Sequence, residues 1–113
     1  MIRIYHNPRC SKSRQGLALL ENSNKEFEVI KYLEDNLDTE QLKNIISKLD
    51  IKPIDLVRKN EAIWKSDFKG KILSDNEIIK AMVVNPKLIE RPIVINGNKA
   101  VVGRPPETIL NII

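Results

Sequence analysis

Two short apolar runs on either side of one helical pattern restrict the fold of this chain more than any other feature. Ile2 to Tyr5 reads as a strand, and Phe27, Val29 and Ile30 mark a second over about 27–31. Between them, residues 11–22 carry Leu17, Leu19 and Leu20 in helical spacing before Asn22-Ser23-Asn24 ends the pattern. Strands joined through a helix are expected to lie parallel, because a tight turn cannot bring them side by side. The chain therefore opens with a βαβ unit.

The middle is helical. Asp38 is a plausible N-cap with Gln41 three residues on, and Leu42, Ile45, Ile46 and Leu49 follow i, i+3, i+4, i+7 spacing. Pro53 can start a short helix with Ile54, Leu56 and Val57, and Ser74 with Glu77 predicts a capped helix over about 75–84, closed by Asn85-Pro86. Ile93-Val94-Ile95 and Ala100-Val101-Val102 flank Asn96-Gly97, a strong hairpin signal. Pro105-Pro106-Glu107 then opens a last helix carrying Ile109, Leu110 and Ile113. Trp64 and residues 65–71 carry no readable pattern. The expected fold class is α/β: a small mixed four-stranded sheet in the βαβ–ββα order of the thioredoxin fold, with a helical insertion. One domain over 1–113 is expected from the length.

The chain has one cysteine, Cys10, in Tyr5-His6-Asn7-Pro8-Arg9-Cys10-Ser11-Lys12-Ser13-Arg14. That places it at the turn from the first strand into the first helix. Unpaired N–H groups and the helix dipole favour negative charge there, as do Arg9, Lys12 and Arg14, and no acid appears before Glu21. Such surroundings favour the thiolate, which is the nucleophile. A buried structural cysteine is the commoner fate of a free thiol, but a turn of Asn, Pro, Ser and basic residues is no core. Ser13 stands where a Cys-x-x-Cys pair would have its second thiol, so Cys10 needs an external thiol to complete a redox cycle. A Cys-x5-Arg phosphate loop would require Arg at position 16, which is Gly16.

Other residues can complete an anion site. Arg91 and Arg104 flank the hairpin at loop positions next to prolines, and Arg58 lies in Leu56-Val57-Arg58-Lys59-Asn60. Guanidinium groups suit a tetrahedral oxyanion because they are planar, permanently charged and bidentate. Pro92, at the start of the third strand, is a cis-proline candidate because the thioredoxin-like fold that the element order resembles carries a cis-proline at that place. His6 can act as an imidazolium beside the thiolate or as a neutral ring bonded to the loop. Ser11 and Ser13 can donate to the sulfur or cap the helix.

The net charge of +4 raises the question of nucleic acid, but the charges are mostly mixed in sign along helix faces and aromatics are only 4%. No RNP-type motif, zinc-finger spacing or arginine-rich run is present, so neither nucleic acid nor a bound metal is expected. No apolar run approaches the ~18 residues of a membrane span, and the first residues show no secretion signal. A lone cysteine suits a reducing cytoplasm. A cytoplasmic monomer is expected.

With these residues assembled, the chain resembles the arsenate reductase family that uses glutathione and glutaredoxin. The resemblance runs through Ile4-Tyr5-His6-Asn7-Pro8, Cys10, Ser13-Arg14, Tyr32-Leu33-Glu34, Leu56 to Asn60, Asn85 to Val94, and Gly103-Arg104-Pro105. It departs around the cysteine, where Arg9 and Ser11-Lys12 replace a small residue and Gly-Thr. The resemblance implies that Cys10 attacks arsenate, that Arg58, Arg91 and Arg104 hold the oxyanion, and that His6 and Ser13 tune the thiol. It also implies glutathione as co-substrate, glutaredoxin as partner and no bound cofactor. Two other readings share the fold: a transcriptional regulator that binds RNA polymerase, whose Cys-x-x-Cys switch Ser13 breaks, and a generic glutathione-dependent thiol-transferase.

Overall fold

The computed structural model describes residues 1–113. Strand β1 (Ile2–Tyr5) leads into helix α1 (Ser11–Glu21) and strand β2 (Phe27–Ile30), and β1 pairs with β2 in parallel, Ile4 opposite Val29. The hairpin β3 (Ile93–Asn96) and β4 (Lys99–Val102) completes the sheet in the order β2-β1-β3-β4, with β1–β3 and β3–β4 antiparallel. This is the mixed four-stranded sheet of a thioredoxin-like α/β fold.

Two compact units can be told apart within the span read as one domain: Met1–Asp35 with Arg91–Ile113, and Asn36–Glu90. The first holds the sheet and α1. Its apolar centre is Ile2, Ile4, Leu20, Val94 and Ile109, with Leu17, Phe27, Val101, Ile112 and Ile113 packed around it. The second holds α2 (Thr39–Leu49), α3 (Ala62–Asp67) and α4 (Asp75–Val84), with short 3-10 turns at Pro53–Leu56 and Pro86–Leu88. Leu42, Ile45 and Ile46 of α2 and Ile78, Ile79, Ala81 and Met82 of α4 are its buried faces. Both helices start at full capping boxes. Gln41 N–H donates to Asp38 Oδ1 at 2.7 Å while Asp38 N–H donates to Gln41 Oε1 at 2.9 Å. Ser74 and Glu77 make the same exchange at 3.2 and 3.0 Å.

The structure corrects three expectations. Strand β2 stops at Ile30, and Lys31 already belongs to the following turn. In the hairpin, Asn96 pairs with Lys99, so the loop is Gly97-Asn98 rather than Asn96-Gly97. Gly97 takes φ +62°, as a glycine-first type II′ turn requires. The last helix is a 3-10 helix, Pro106–Asn111. Pro106, Ile109 and Ile112 recur every third residue on its inner side and Leu110 is exposed, which suits three residues per turn. Trp64 sits on α3, a helix too short to show a period, and stacks on Phe68 with ring centroids 5.4 Å apart.

One contact fixes how closely α1 lies to the hairpin. A Cβ placed on Gly16 would fall 2.9 Å from Pro92 Cγ and 2.9 Å from Ile109 Cδ1, and one on Gly103 would meet the same two atoms at 2.9 and 3.0 Å. Alanine normally stabilises a helix interior over glycine by about 1 kcal/mol. The Pro92 ring has no rotamer by which to move aside, so Gly16→Ala should instead destabilise the protein by about 1–3 kcal/mol. Urea unfolding followed by circular dichroism measures this, and an unchanged or higher midpoint would refute the contact. In the second unit, Asp38→Ala should cost about 1 kcal/mol through loss of the cap.

Candidate active site

The segment between β1 and α1 is held by its own hydrogen bonds. His6 N–H donates to Ile30 O at 2.9 Å, which extends the β1–β2 pairing one residue beyond the strand. Asn7 then organises the turn. Its side-chain Oδ1 accepts from Arg9 N–H at 3.0 Å and its carbonyl from Cys10 N–H at 3.0 Å, the local bonding that makes Asn a turn former. Asn7 N–H donates to Ser13 Oγ at 2.9 Å, one turn into the helix. His6, Asn7 and Ser13 are all buried. The sequence reading left Asn7 out of the site, although the Asn-Pro pair before the cysteine carries its signal.

Ser13 Oγ also lies 2.7 Å from His6 Nδ1. Burial lowers the His6 pKa below its usual value, and the nearby positive charges of Lys31 and Arg14 lower it further, against an opposing interaction with the Ser13 backbone, which favours the charged ring. The ring is therefore neutral at neutral pH, the loop-bonding role of the two read from sequence. With its proton on Nε2, Ser13 donates to Nδ1 while accepting from Asn7, and all three groups are satisfied. These hydrogen bonds of Ser13 run to the loop.

Cys10 is the N-cap residue of α1, half-buried, with an extended backbone at φ −93° and ψ 124°. Its carbonyl accepts from Arg14 N–H at 3.0 Å. No side chain caps the helix and no acid stands in its first turn. The first amide N–H groups and the positive helix end are thus left to whatever anion meets the thiol. Arg14 Nη1 donates to Pro8 O at 2.9 Å, which keeps a permanent charge on the same turn.

The three other arginines divide between the units. Arg91 and Arg104 share the unit of Cys10, and Arg104 Nη1 donates to Arg91 O at 3.1 Å. Arg91 is buried and Arg104 exposed. The Arg91–Pro92 bond is cis, and so is Arg104–Pro105, which the sequence reading did not single out. Arg58 belongs to the helical unit. Its N–H donates to Leu88 O at 2.7 Å, beside the antiparallel bridge of Val57 with Ile89. Its guanidinium is paired with Glu61 at 3.0 Å, a partner visible in the sequence only as an i, i+3 opposite charge.

His6 makes stability acid-sensitive with a definite sign. Its folded pKa lies below the unfolded value of about 6.5, so between the two the unfolded chain binds more protons. Stability is then complete above about pH 6.5 and falls as pH drops through that window. His6→Gln should remove this part of the slope when urea midpoints are compared at pH 7.5 and 5.5, and parallel losses in both proteins would refute it. Ser13→Ala, which strips Asn7 and His6 of a buried partner, should cost about 1–3 kcal/mol at pH 7.5.

Comparison with known proteins gives one answer. The ArsC family model matches residues 5–112. An arsenate reductase of Haemophilus influenzae is 46% identical over 112 residues, covering 97% of each chain. One of Neisseria meningitidis is 41% identical over 110 residues, covering 96% of this chain and 94% of its own. The solved structure of an arsenate reductase from Vibrio cholerae superimposes with a TM-score of 0.94 at 45% identity, covering 99% of this chain and 97% of that one. With the family model and these relatives spanning it almost end to end, the chain belongs to the ArsC family.

Proposed function

We propose that this chain reduces arsenate to arsenite, with Cys10 as nucleophile and glutathione and glutaredoxin as the external thiols. The observation that carries this is the placement of the chain's one thiol at a helix N-terminus that no side chain caps, in a turn without acids. The relatives named arsenate reductase support the substrate. Arg91 and Arg104 are the anion-binding groups in the same unit, and Arg58 contributes a third guanidinium. Neutral His6 acts through Ser13, holding the turn that presents the thiol.

In this cycle the Cys10 thiolate displaces one arsenate oxygen, which leaves as water, and an S–As(V) bond forms. Glutathione displaces a second oxygen. The glutaredoxin thiolate then attacks the glutathione sulfur and the S–As bond breaks toward arsenic, which takes the electron pair and becomes As(III). Glutaredoxin departs as the mixed disulfide. Water cleaves the remaining Cys10–As bond, releasing arsenite and the free thiol. One arsenate and two external thiols thus give arsenite, a disulfide and water. The single cysteine suffices because both electrons come from outside.

The test is NADPH oxidation with arsenate, glutathione, glutaredoxin and glutathione reductase. Turnover should vanish in Cys10→Ser. Arg58→Ala and Arg104→Ala should each raise KM for arsenate by about 10–100-fold, the weight of a charge-assisted hydrogen bond. Turnover with thioredoxin in place of both thiols would overturn the glutathione part. Inactive wild type that still reduces glutathionylated protein would favour a thiol-transferase instead.

A further inference from the structure

The parallel strands β1 and β2 lie side by side, so the segments leaving their C-terminal ends border one crevice. Its volume is about 330 Å3, within the range of small-molecule sites. His6, Pro8 and Arg9 line it from the first segment, and Lys31, Leu33 and Glu34 from the second. The first wall is fixed by the buried His6–Asn7–Ser13 hydrogen bonds, and the second is turned by Glu34 N–H donating to Lys31 O at 3.0 Å. The crevice therefore exists without a ligand to shape it.

Its charge pattern selects an occupant. Arg9 and Lys31 are exposed cations, Glu34 is an exposed acid, and none of the three is held in an ion pair with another side chain. Pro8 and the partly exposed Leu33 give an apolar stretch between them. Two cations, one carboxylate and a short apolar stretch complement a small peptide with two carboxylates, one ammonium and a methylene stem. Arg9 directly precedes Cys10 in the chain, so the crevice borders the turn that carries the thiol.

We propose that this crevice is the subsite for the thiol co-substrate, with Arg9 and Lys31 taking the two carboxylates of glutathione and Glu34 its ammonium. The assignment rests on the arsenate-and-thiol reading of Cys10 and goes beyond it by naming where the second thiol is held. Arg9 and Lys31 are then binding residues for the co-substrate, separate from the arginines assigned to the oxyanion.

The experiment uses S-methylglutathione, which keeps the charges of glutathione and cannot react. Titrated into labelled protein, it should shift the amide resonances of His6, Asn7, Arg9 and residues 31–34. Its affinity should fall about tenfold in Lys31→Glu, where a partly exposed attraction becomes a repulsion. Lys43→Glu, the same charge change on α2, should leave affinity unchanged. In turnover, Lys31→Glu should raise KM for glutathione about tenfold more than KM for arsenate. Shifts confined to other residues, or equal affinity in wild type and Lys31→Glu, would overturn the subsite even if arsenate is reduced. Crevice binding that depends on Lys31 in a protein that does not reduce arsenate would sustain the subsite and sink the catalytic reading.

Discussion

Pro92 lies between two residues that have no side chain, and the geometry of the sheet unit follows from that. Gly16 on α1 and Gly103 after β4 both leave space that the proline ring and Ile109 fill. Gly103 N–H donates to Pro92 O at 2.7 Å, so the hairpin ends are tied to one another at the same point. Arg91 precedes that proline and Arg104 follows that glycine. Cys10 stands at the N-cap position of the helix that Gly16 belongs to, less than two turns upstream. A helix is stiff over that length, so the apolar contact sets the spacing between the thiol turn and the two guanidinium groups of its unit. Core packing responds to a single methylene, and here that response reaches the helix that begins at Cys10.

The polar half of the arrangement is the chain of groups through Ser13. A hydroxyl with no exposed surface joins the end of β1 to the first turn of α1. Buried networks of this kind are stable when every member is satisfied and costly when one is not. Here Ser13 Oγ shares hydrogen bonds with Asn7 N–H and with Nδ1 of the neutral His6 ring. The protonation state of His6 is thus a structural property of the loop.

Much of this was legible in the residues. The capping patterns at Asp38–Gln41 and Ser74–Glu77, the glycine of the hairpin and the strand–helix–strand opening each have a local cause, and each appears where its cause lies. The turn bearing Cys10 was legible for the same reason. What sequence could not give depends on partners far along the chain. Gly16 looks like a weak point in a helix until Pro92 and Ile109 come against it. The lowered pKa of His6 depends first on its burial in the fold and then on Lys31, far along the chain. The crevice between the ends of β1 and β2 joins residues more than twenty positions apart. The six residues of α3 offered too little length for a period to emerge.

The bare N-terminus of α1 has a thermodynamic side. Cys10 already has the extended backbone of an N-cap but brings no oxygen to the first-turn amides. Serine at an N-cap is worth about 1 kcal/mol over a side chain that cannot accept. The thiol therefore holds its place at the expense of stability, and a Cys10→Ser protein would be the better-folded molecule. Drift toward a sturdier helix and loss of reactivity would be the same substitution, a trade between stability and activity confined to one atom.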